Sequence, residues 1–362
     1  MIIGKDQSKW YKGNLHTHTT LSDGHMEPEQ AAELYRERGY DFLAFTDHWV
    51  YSPGKGSPDF LLLSGIEYDI TRDVRDGLYH IVGIGMEQEP ALIRGMPLSP
   101  QTIIDEIVRV GGIAILAHPA WSLNRTSEVA KLTGLSGCEI YNTVSGFPWS
   151  GRPYSGCFLD ELATRGVYLP CMAADDTHYY AGDEARSYLM VQADSLTRDS
   201  ILKALRIGNF YATQGPHFSF ELKDERAVVK TTPAKYIAFF TDLVWSPNRI
   251  ASGENLEEAV YKIQPGDYFV RVEIYDAEGR AATQRQFVFL FDGAVYRETR
   301  ASGLVWLERE PDGCIDHERC NKDATPDVTL NEGRPARESE NGDDPGACRN
   351  TSCICPENTE QE

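Results

Sequence analysis

The feature that most constrains this chain is the placement of polar residues at the ends of its apolar runs. Seven runs read as buried strands: GNLHTH (13–18), FLAFTDH (42–48), LLLSGIE (61–67), LYHIVGIG (78–85), IAILAH (113–118), GCEIYN (137–142) and VYLPCMAADD (167–176). Most finish in His, Asp or Glu: His16 and His18, Asp47-His48, Glu67, His118, and Asp176 with His178 just beyond. His80 lies near the start of its run, and a reversed fourth strand would bring it to the same rim. Helical patterns intervene. Pro28 to Gly39 has a Pro in its first turn and a Gly stop. Ser99-Pro100 opens a helix running to Gly111, with Ile103, Ile104, Ile107 and Val108 on one face. Residues 158–166 and 197–208 read the same way. Strands alternating with helices predict an α/β fold with a parallel sheet, and seven strands predict a closed or nearly closed barrel. The carboxyl ends of such strands share one face, where ligands bind, so residues far apart in sequence converge on one mouth.

Six of the nine histidines lie on or just past these runs. H-x-H on a strand, as at His16 and His18, puts both imidazoles on one face, because side chains alternate with period two. D-T-H at Asp176 to His178 repeats that spacing with a carboxylate first. A single histidine of this kind is usually a core residue bonded to a backbone carbonyl. Six at strand ends, alongside Asp23, Glu67 and Asp176, point instead to divalent metal ions. Mixed imidazole and carboxylate donors suit Mn²⁺, Fe²⁺ and Zn²⁺. Asp47 and Asp175 read as carboxylates that orient metal-bound imidazoles. His25 and His217 read as non-ligands. Arg125, Arg186 and Lys12 flank the motifs and are candidates to grip a phosphate through charge-assisted bonds, with Asn142 a further substrate-binding candidate.

The segments NLHTHTTLSDG, AFTDH, GIEYD, LYHIVGIG, LAHPAW and AADDTH, in this order over about residues 10–215, resemble the PHP (polymerase and histidinol phosphatase) superfamily. The resemblance implies a metal-dependent phosphoesterase on a distorted (β/α)7 barrel. Carried over residue by residue, it implies that His16, His18, Glu67 and Asp176 surround one ion. Glu67 would bridge to a second ion held by His80 and His118, and Asp23, His48 and His178 would hold a third. Two or three divalent ions are therefore expected, with hydroxide generated on bound water whose pKa falls towards about 7. His178 and Asp176 are the catalytic candidates, and the expected substrate is a small phosphorylated metabolite or nucleotide. His118 follows His80 by only 38 residues, too few for the separate cap domain of some relatives.

Composition organises the rest. Residues 1–213 form the barrel region, 214–307 read as strands of a small C-terminal β-sandwich-like domain, and 308–362 read as an acidic, disordered tail. The tail holds 15 acidic against 6 basic residues, so −9 of the formal charge of −20 lies there and −11 remains for the body. No Lys/Arg cluster suggests a face for duplex nucleic acid. No apolar run approaches the roughly 18 residues of a membrane span, and the N-terminus lacks a secretory pattern, so the cytoplasm is the expected compartment. Cys138, Cys157 and Cys171 read as buried free thiols. The spacing of Cys314, Cys320, Cys348, Cys353 and Cys355 matches no standard zinc pattern. The β region is expected to cover the barrel or to mediate homo-oligomerisation. Three other readings stay open: an amidohydrolase-type metal hydrolase, a sugar- or partner-binding protein with structural metals, and a nuclease acting on short single strands.

Overall fold

The computed structural model describes residues 9–71, 77–223 and 225–284, with strand fragments at 287–288, 299–300 and 303–304. β1 (Lys9–Asn14) leads through the first histidine motif into α1 (Pro28–Glu37), followed by β2 (Phe42–Ala44), β3 (Lys55–Gly56) and β4 (Leu61–Leu63). β1, β2 and β4 are parallel neighbours. β5 (Gly65–Thr71) and β6 (Leu78–Ile84) form an antiparallel hairpin, and β6 is also antiparallel to β7 (Ile113–Leu116). β6 is thus the reversed strand that the position of His80 called for. β8 (Leu135–Asn142) and β9 (Cys171–Ala174) continue this second sheet in parallel.

The helices form where the sequence places their ends. In α2 (Pro100–Arg109) the Ser99 hydroxyl accepts from the Thr102 N–H, and Ile103, Ile104 and Ile107 are buried. Each such Ile stabilises the fold by roughly 1.5–3 kcal/mol. Val108, expected on the same face, is 46% exposed because it falls at the edge of the stripe. α3 (Pro119–Ser122) and α4 (Thr126–Val129) are single turns, and α5 (Gly156–Thr164) buries Leu159 and Leu162. β10 (Tyr188–Ala193) returns antiparallel to β1. After α6 (Arg198–Arg206), β11 (Phe210–Thr213) pairs with β10.

The result is a mixed α/β fold of large sheets with few helices. The expected closed barrel is not formed by continuous ladders. The described strands fall into a 12-stranded and a 5-stranded sheet, apart from a 2-stranded pair. Single bridges at Thr17↔Thr177 and His48↔Glu67 join segments of the two large sheets. The physical reason lies in the motif segments themselves. Trp49 (φ 58°) and Asp176 (φ 53°) adopt left-handed backbone, which cannot continue a strand.

β12 (Phe218–Lys223), β13 (Arg226–Phe240), β14 (Ile250–Lys262), β15 (Phe269–Tyr275) and β16 (Ala281–Thr283) are antiparallel, as an all-β region requires. They do not make a separate two-sheet sandwich. β16 pairs with β11, so one sheet crosses residue 213. Phe220, Val229, Ile237, Phe239, Val272 and Ile274 form its core. Cys138 and Cys171 are buried register partners on β8 and β9, whereas Cys157 is exposed near the start of α5. The tail expected at 308–362, with its five cysteines, lies outside the described residues. No helix among the described residues is long and apolar enough to cross a membrane.

Candidate metal centre

The nine residues that the resemblance implies as ligands meet at one place. His16 and His18 follow β1, Asp23 lies in the next loop and His48 follows β2. Glu67 is on β5 and His80 on the reversed β6, while His118 follows β7 and Asp176 and His178 follow β9. His118 (φ 26°) and Asp176 both have left-handed backbone, the kind of local strain that surrounding structure holds at functional sites.

At the centre, His18 Nε2 lies 3.2 Å from His16 Nε2. Glu67 Oε2 is 3.1 Å from His16 Nε2 and 3.0 Å from His18 Nε2. Asp176 Oδ1 is 3.1 and 3.0 Å from the same two atoms. Both carboxylate oxygens are buried without a hydrogen-bond partner. All four atoms lie within 4.8 Å of one another, and two imidazole nitrogens with two carboxylate oxygens are donors of the kind that bind zinc and similar divalent ions. The donor set therefore fits a divalent cation.

Two further groupings adjoin it. Glu67 turns its other oxygen, Oε1, to His80 Nδ1 at 2.7 Å and His118 Nε2 at 3.7 Å. His118 Nε2 is also 3.7 Å from Asp176 Oδ2. Asp23 faces His18 Nδ1 at 3.4 Å, His178 Nε2 at 3.6 Å and His48 Nε2 at 3.8 Å. His48 Nδ1 has no hydrogen-bond partner, lying 3.3 Å from Glu67 Oε2 and 3.5 Å from Asp69 Oδ1.

Surrounding groups fix which ring nitrogen faces inward. His16 Nδ1 lies 2.7 Å from Glu139 Oε1, and His118 Nδ1 lies 3.0 Å from Ser122 Oγ. His178 Nδ1 lies 2.7 Å from the Asp176 carbonyl, which can only accept. Each pairing leaves Nε2 to the centre. Glu139 was not singled out from sequence. It is 2% exposed, and its second oxygen accepts from the His118 N–H at 3.0 Å and from Asn142 Nδ2 at 2.8 Å.

The charges reinforce one another. Burial opposes the imidazolium of His16, yet Asp176, Glu67 and Glu139 hold its pKa well above the ordinary value. Burial likewise opposes His18, and Asp176, Asp23 and Glu67 raise it. Burial works against ionising Glu67, but His16 and His80 hold its pKa well below the usual range. Asp176 is held low against burial by His16 and His178. His48 differs, since burial lowers its pKa. Carboxylates and imidazoles thus compete for protons at a centre of negative potential that a divalent ion neutralises.

The expected substrate grips lie elsewhere. A cavity of about 300 Å³ opens over the centre, lined by Asp23, His48, Glu67, His80, His118, Asp176 and His178 together with Trp121, Val144, Ser145, Trp149, Ser150 and Tyr179. Lys12, Arg125 and Arg186 do not line it. The Lys12 ammonium lies over the Tyr40 and Tyr188 rings at 4.0 and 4.4 Å and donates to the Arg38 carbonyl. Arg186 donates to the Gly182 carbonyl, and Arg125 is an exposed residue at the start of α4. Asn142 is fully buried, donating to Glu139 and Asp176 and accepting from the Ser145 N–H. Its place is beneath the ligands, because three bonds occupy its amide.

Asp47 and Asp175 likewise hold backbone N–H groups, hydroxyls and, for Asp175, the Asn14 amide, rather than imidazoles. Asp47 accepts from the Thr19 N–H and hydroxyl and from Ser22, fixing the loop that carries Asp23. Asp175 accepts from the Arg186 and Ser187 N–H groups, Asn14, Tyr35 and Thr143, and burial pushes its pKa up to about 7. His217 pairs with the Tyr211 hydroxyl, and His25 packs edge-on against Tyr179.

No family model matches the chain. An uncharacterised protein of Methanocaldococcus jannaschii is 26% identical over 149 residues, spanning 36% of this chain and 81% of that protein. A two-domain protein of Bacteroides vulgatus with a PHP-like metal-dependent phosphoesterase superposes with a TM-score of 0.45 at 15% identity, covering 75% of this chain and 92% of that one. An amidohydrolase of Chromobacterium violaceum, with bound sulfate and no metal, gives 0.35 at 16% identity over 47% of this chain and 89% of its own. A protein of Bifidobacterium adolescentis named as a metal-dependent phosphoesterase gives 0.32 at 15% identity, covering 46% of this chain and 87% of that one. The solved structures to which this chain is similar include one described as PHP-like and a second named as a metal-dependent phosphoesterase.

Proposed function

We propose that this chain is a PHP-type metal-dependent phosphoesterase that hydrolyses a small phosphorylated substrate. One observation carries the reading: four ligand atoms from His16, His18, Glu67 and Asp176 lie within 4.8 Å of one another, and two of them are buried carboxylate oxygens with no hydrogen-bond partner. In this reading the strand circuit, closed at its motif ends by single bridges, is a distorted (β/α)7 barrel, and the protein works in the cytoplasm.

His16, His18, Glu67 and Asp176 would hold one ion, Glu67 with His80 and His118 a second, and Asp23, His48 and His178 a third. Bound there, divalent ions would supply water acidified to hydroxide at neutral pH and positive charge for the phosphoryl oxygens. The chain's own part is positioning. Glu139, Ser122 and the Asp176 carbonyl keep Nε2 of His16, His118 and His178 turned inward. His178 borders the cavity; with its Nε2 given to the third ion, the leaving alkoxide would take its proton from water at the centre. Ser145 and Ser150 line the cavity and are candidates to bond the substrate.

The test is elemental analysis of the purified protein, followed by phosphate release from 4-nitrophenyl phosphate and from a metabolite panel with Mn²⁺, beside a panel of amides. Wild type should carry metal and cleave phosphate esters. His16→Ala and Asp176→Ala should each lose metal and at least a hundredfold in kcat/KM. Cleavage of amides alone would turn the reading to an amidohydrolase. Unchanged metal content and turnover in both variants would remove it.

A further inference from the structure

The cavity over the metal centre has a wall that the hydrolytic chemistry does not use. Trp149 and Tyr179 lie nearly parallel, with ring planes 7° apart and centroids 5.7 Å apart. Tyr179 is 43% exposed and Trp121, the third ring of the lining, 37%. Trp121 stands edge-on to His80 and His118, with centroids 5.6 and 5.0 Å away, so it reaches the ligands themselves. Among the described residues, the lining outside the nine candidate ligands consists of these rings, Val144 and two serines. Large rings beside a charged centre gain little for the fold while they remain in water. They gain when a flat apolar surface is laid on them.

The platform is built before any ligand arrives. Its two rings come from different loops, each held by its own bonds. Asp183, fully buried, accepts from the N–H groups of His178 and Tyr179 at 2.8 Å each, and from that of Ala181 at 3.1 Å. The Tyr180 hydroxyl donates to the His18 carbonyl at 2.6 Å. In the other loop, the Ser150 N–H donates to the Gly146 carbonyl and the Arg152 N–H to the Ser145 carbonyl. Gly182, at φ 107°, passes beside the indole, where an added Cβ would touch its edge at 4.0 Å. A preorganised face costs less entropy on binding than a mobile one. The cavity, about 300 Å³, lies at the small end of ligand sites and suits a single small molecule.

We propose that Trp149 and Tyr179 form a stacking subsite for a planar aromatic ring in the leaving group, so that the substrates are aryl- or nucleobase-bearing phosphate esters rather than aliphatic ones. The inference rests on the phosphoesterase reading. Aryl and nucleoside esters share the flat π face that stacks on Trp and Tyr.

The experiment compares kcat/KM of the metal-loaded wild type for AMP, UMP, phenyl phosphate, glycerol 2-phosphate and glucose 6-phosphate. It then repeats the comparison in Trp149→Ala, Tyr179→Ala and Trp149→Phe. The ring-bearing esters should be preferred, with AMP against phenyl phosphate telling nucleobase from simple aryl recognition. Trp149→Ala should cut that preference by about tenfold or more, mainly through KM, and Trp149→Phe should restore most of it. Adenosine binding, followed by calorimetry, gives a readout independent of turnover and should weaken by a similar factor in Trp149→Ala. A preference for glycerol or glucose phosphate, or equal losses on both classes of ester, would overturn the subsite. Should no ester be hydrolysed, the phosphoesterase reading fails, and adenosine binding then decides the platform alone: binding lost in Trp149→Ala retains it, and no binding to wild type removes it.

Discussion

Glu139 touches no substrate in this arrangement, yet it fixes the ring on which the centre depends. Its Oε1 sits 2.7 Å from His16 Nδ1, so the proton of His16 belongs on Nδ1 and the lone pair on Nε2. Glu139→Gln keeps the shape but replaces a charged acceptor with an amide that can present N–H to the ring. Metal affinity should fall about 10- to 100-fold, as is typical when a carboxylate behind a ligating histidine is removed. Competition against a chelator measures this, with far-ultraviolet circular dichroism unchanged. Undiminished affinity would mean that Glu139 only packs. The H-x-H and D-T-H motifs were legible as polar pairs just past apolar runs, although both lie beyond β1 and β9, where a single Thr17–Thr177 bridge rather than a continuous strand sets them side by side. Glu139 was not, because one Glu in a strand gives no sign of which side it faces. Lys12 misled for a related reason: its position beside the motif is real, but its long stem carries the ammonium onto Tyr40 and Tyr188.

Between elements, a buried ionic tie crosses from the alternating region to the β region. Arg271 of β15 is fully buried and forks onto Asp160 of α5, with Nε to Oδ1 at 2.9 Å and Nη2 to Oδ2 at 2.7 Å. Its Nη1 donates to Glu273, which also accepts from Tyr154 and Tyr275. Tyr154 follows the loop that carries Ser145, Trp149 and Ser150, so β15 braces one wall of the cavity. Arg271→Met removes one partner and leaves Glu273 buried without its cation. Breaking a buried pair in this way costs about 3–5 kcal/mol, and urea denaturation of the metal-loaded protein should show a loss of that size. A loss under about 1 kcal/mol would mean that the network is screened or rearranges. Sequence could not announce this tie, because an Arg in an apolar strand has no visible partner until the fold brings one. It also passed over β10 and β11, whose partners lie far away in the chain or on neighbouring antiparallel strands. The helices, by contrast, carried their own boundaries in Pro, Ser, Thr and Gly.

Across the whole molecule, the proton balance of the centre sets how stability responds to pH. Without metal, His16, His18, His80 and His178 have raised pKa values, while Asp23, Glu67 and Asp176 have lowered ones. A raised imidazole contributes stability that is full below its unfolded value of about 6.5 and is lost as pH climbs through its folded value. A lowered carboxylate contributes stability that is full above about 4 and is lost as pH falls through its folded value. The two windows overlap between about pH 4.5 and 6.5. Asp175, raised to about 7 by burial, acts in the same direction as the imidazoles, since it keeps its proton in the fold while the unfolded chain loses it above about 4. Metal-free protein should therefore melt highest in mildly acidic buffer and lower towards pH 8, where a net charge of −20 adds self-repulsion. Cations must displace the imidazole protons to bind, so added Mn²⁺ should raise the melting temperature little near pH 5 and progressively more towards pH 8. Thermal melts of chelator-treated protein with and without Mn²⁺, in half-unit steps from pH 5 to 8, test both trends. A metal-free melting temperature that rises steadily to pH 8, with a Mn²⁺ shift independent of pH, would show that these residues do not titrate as one cluster.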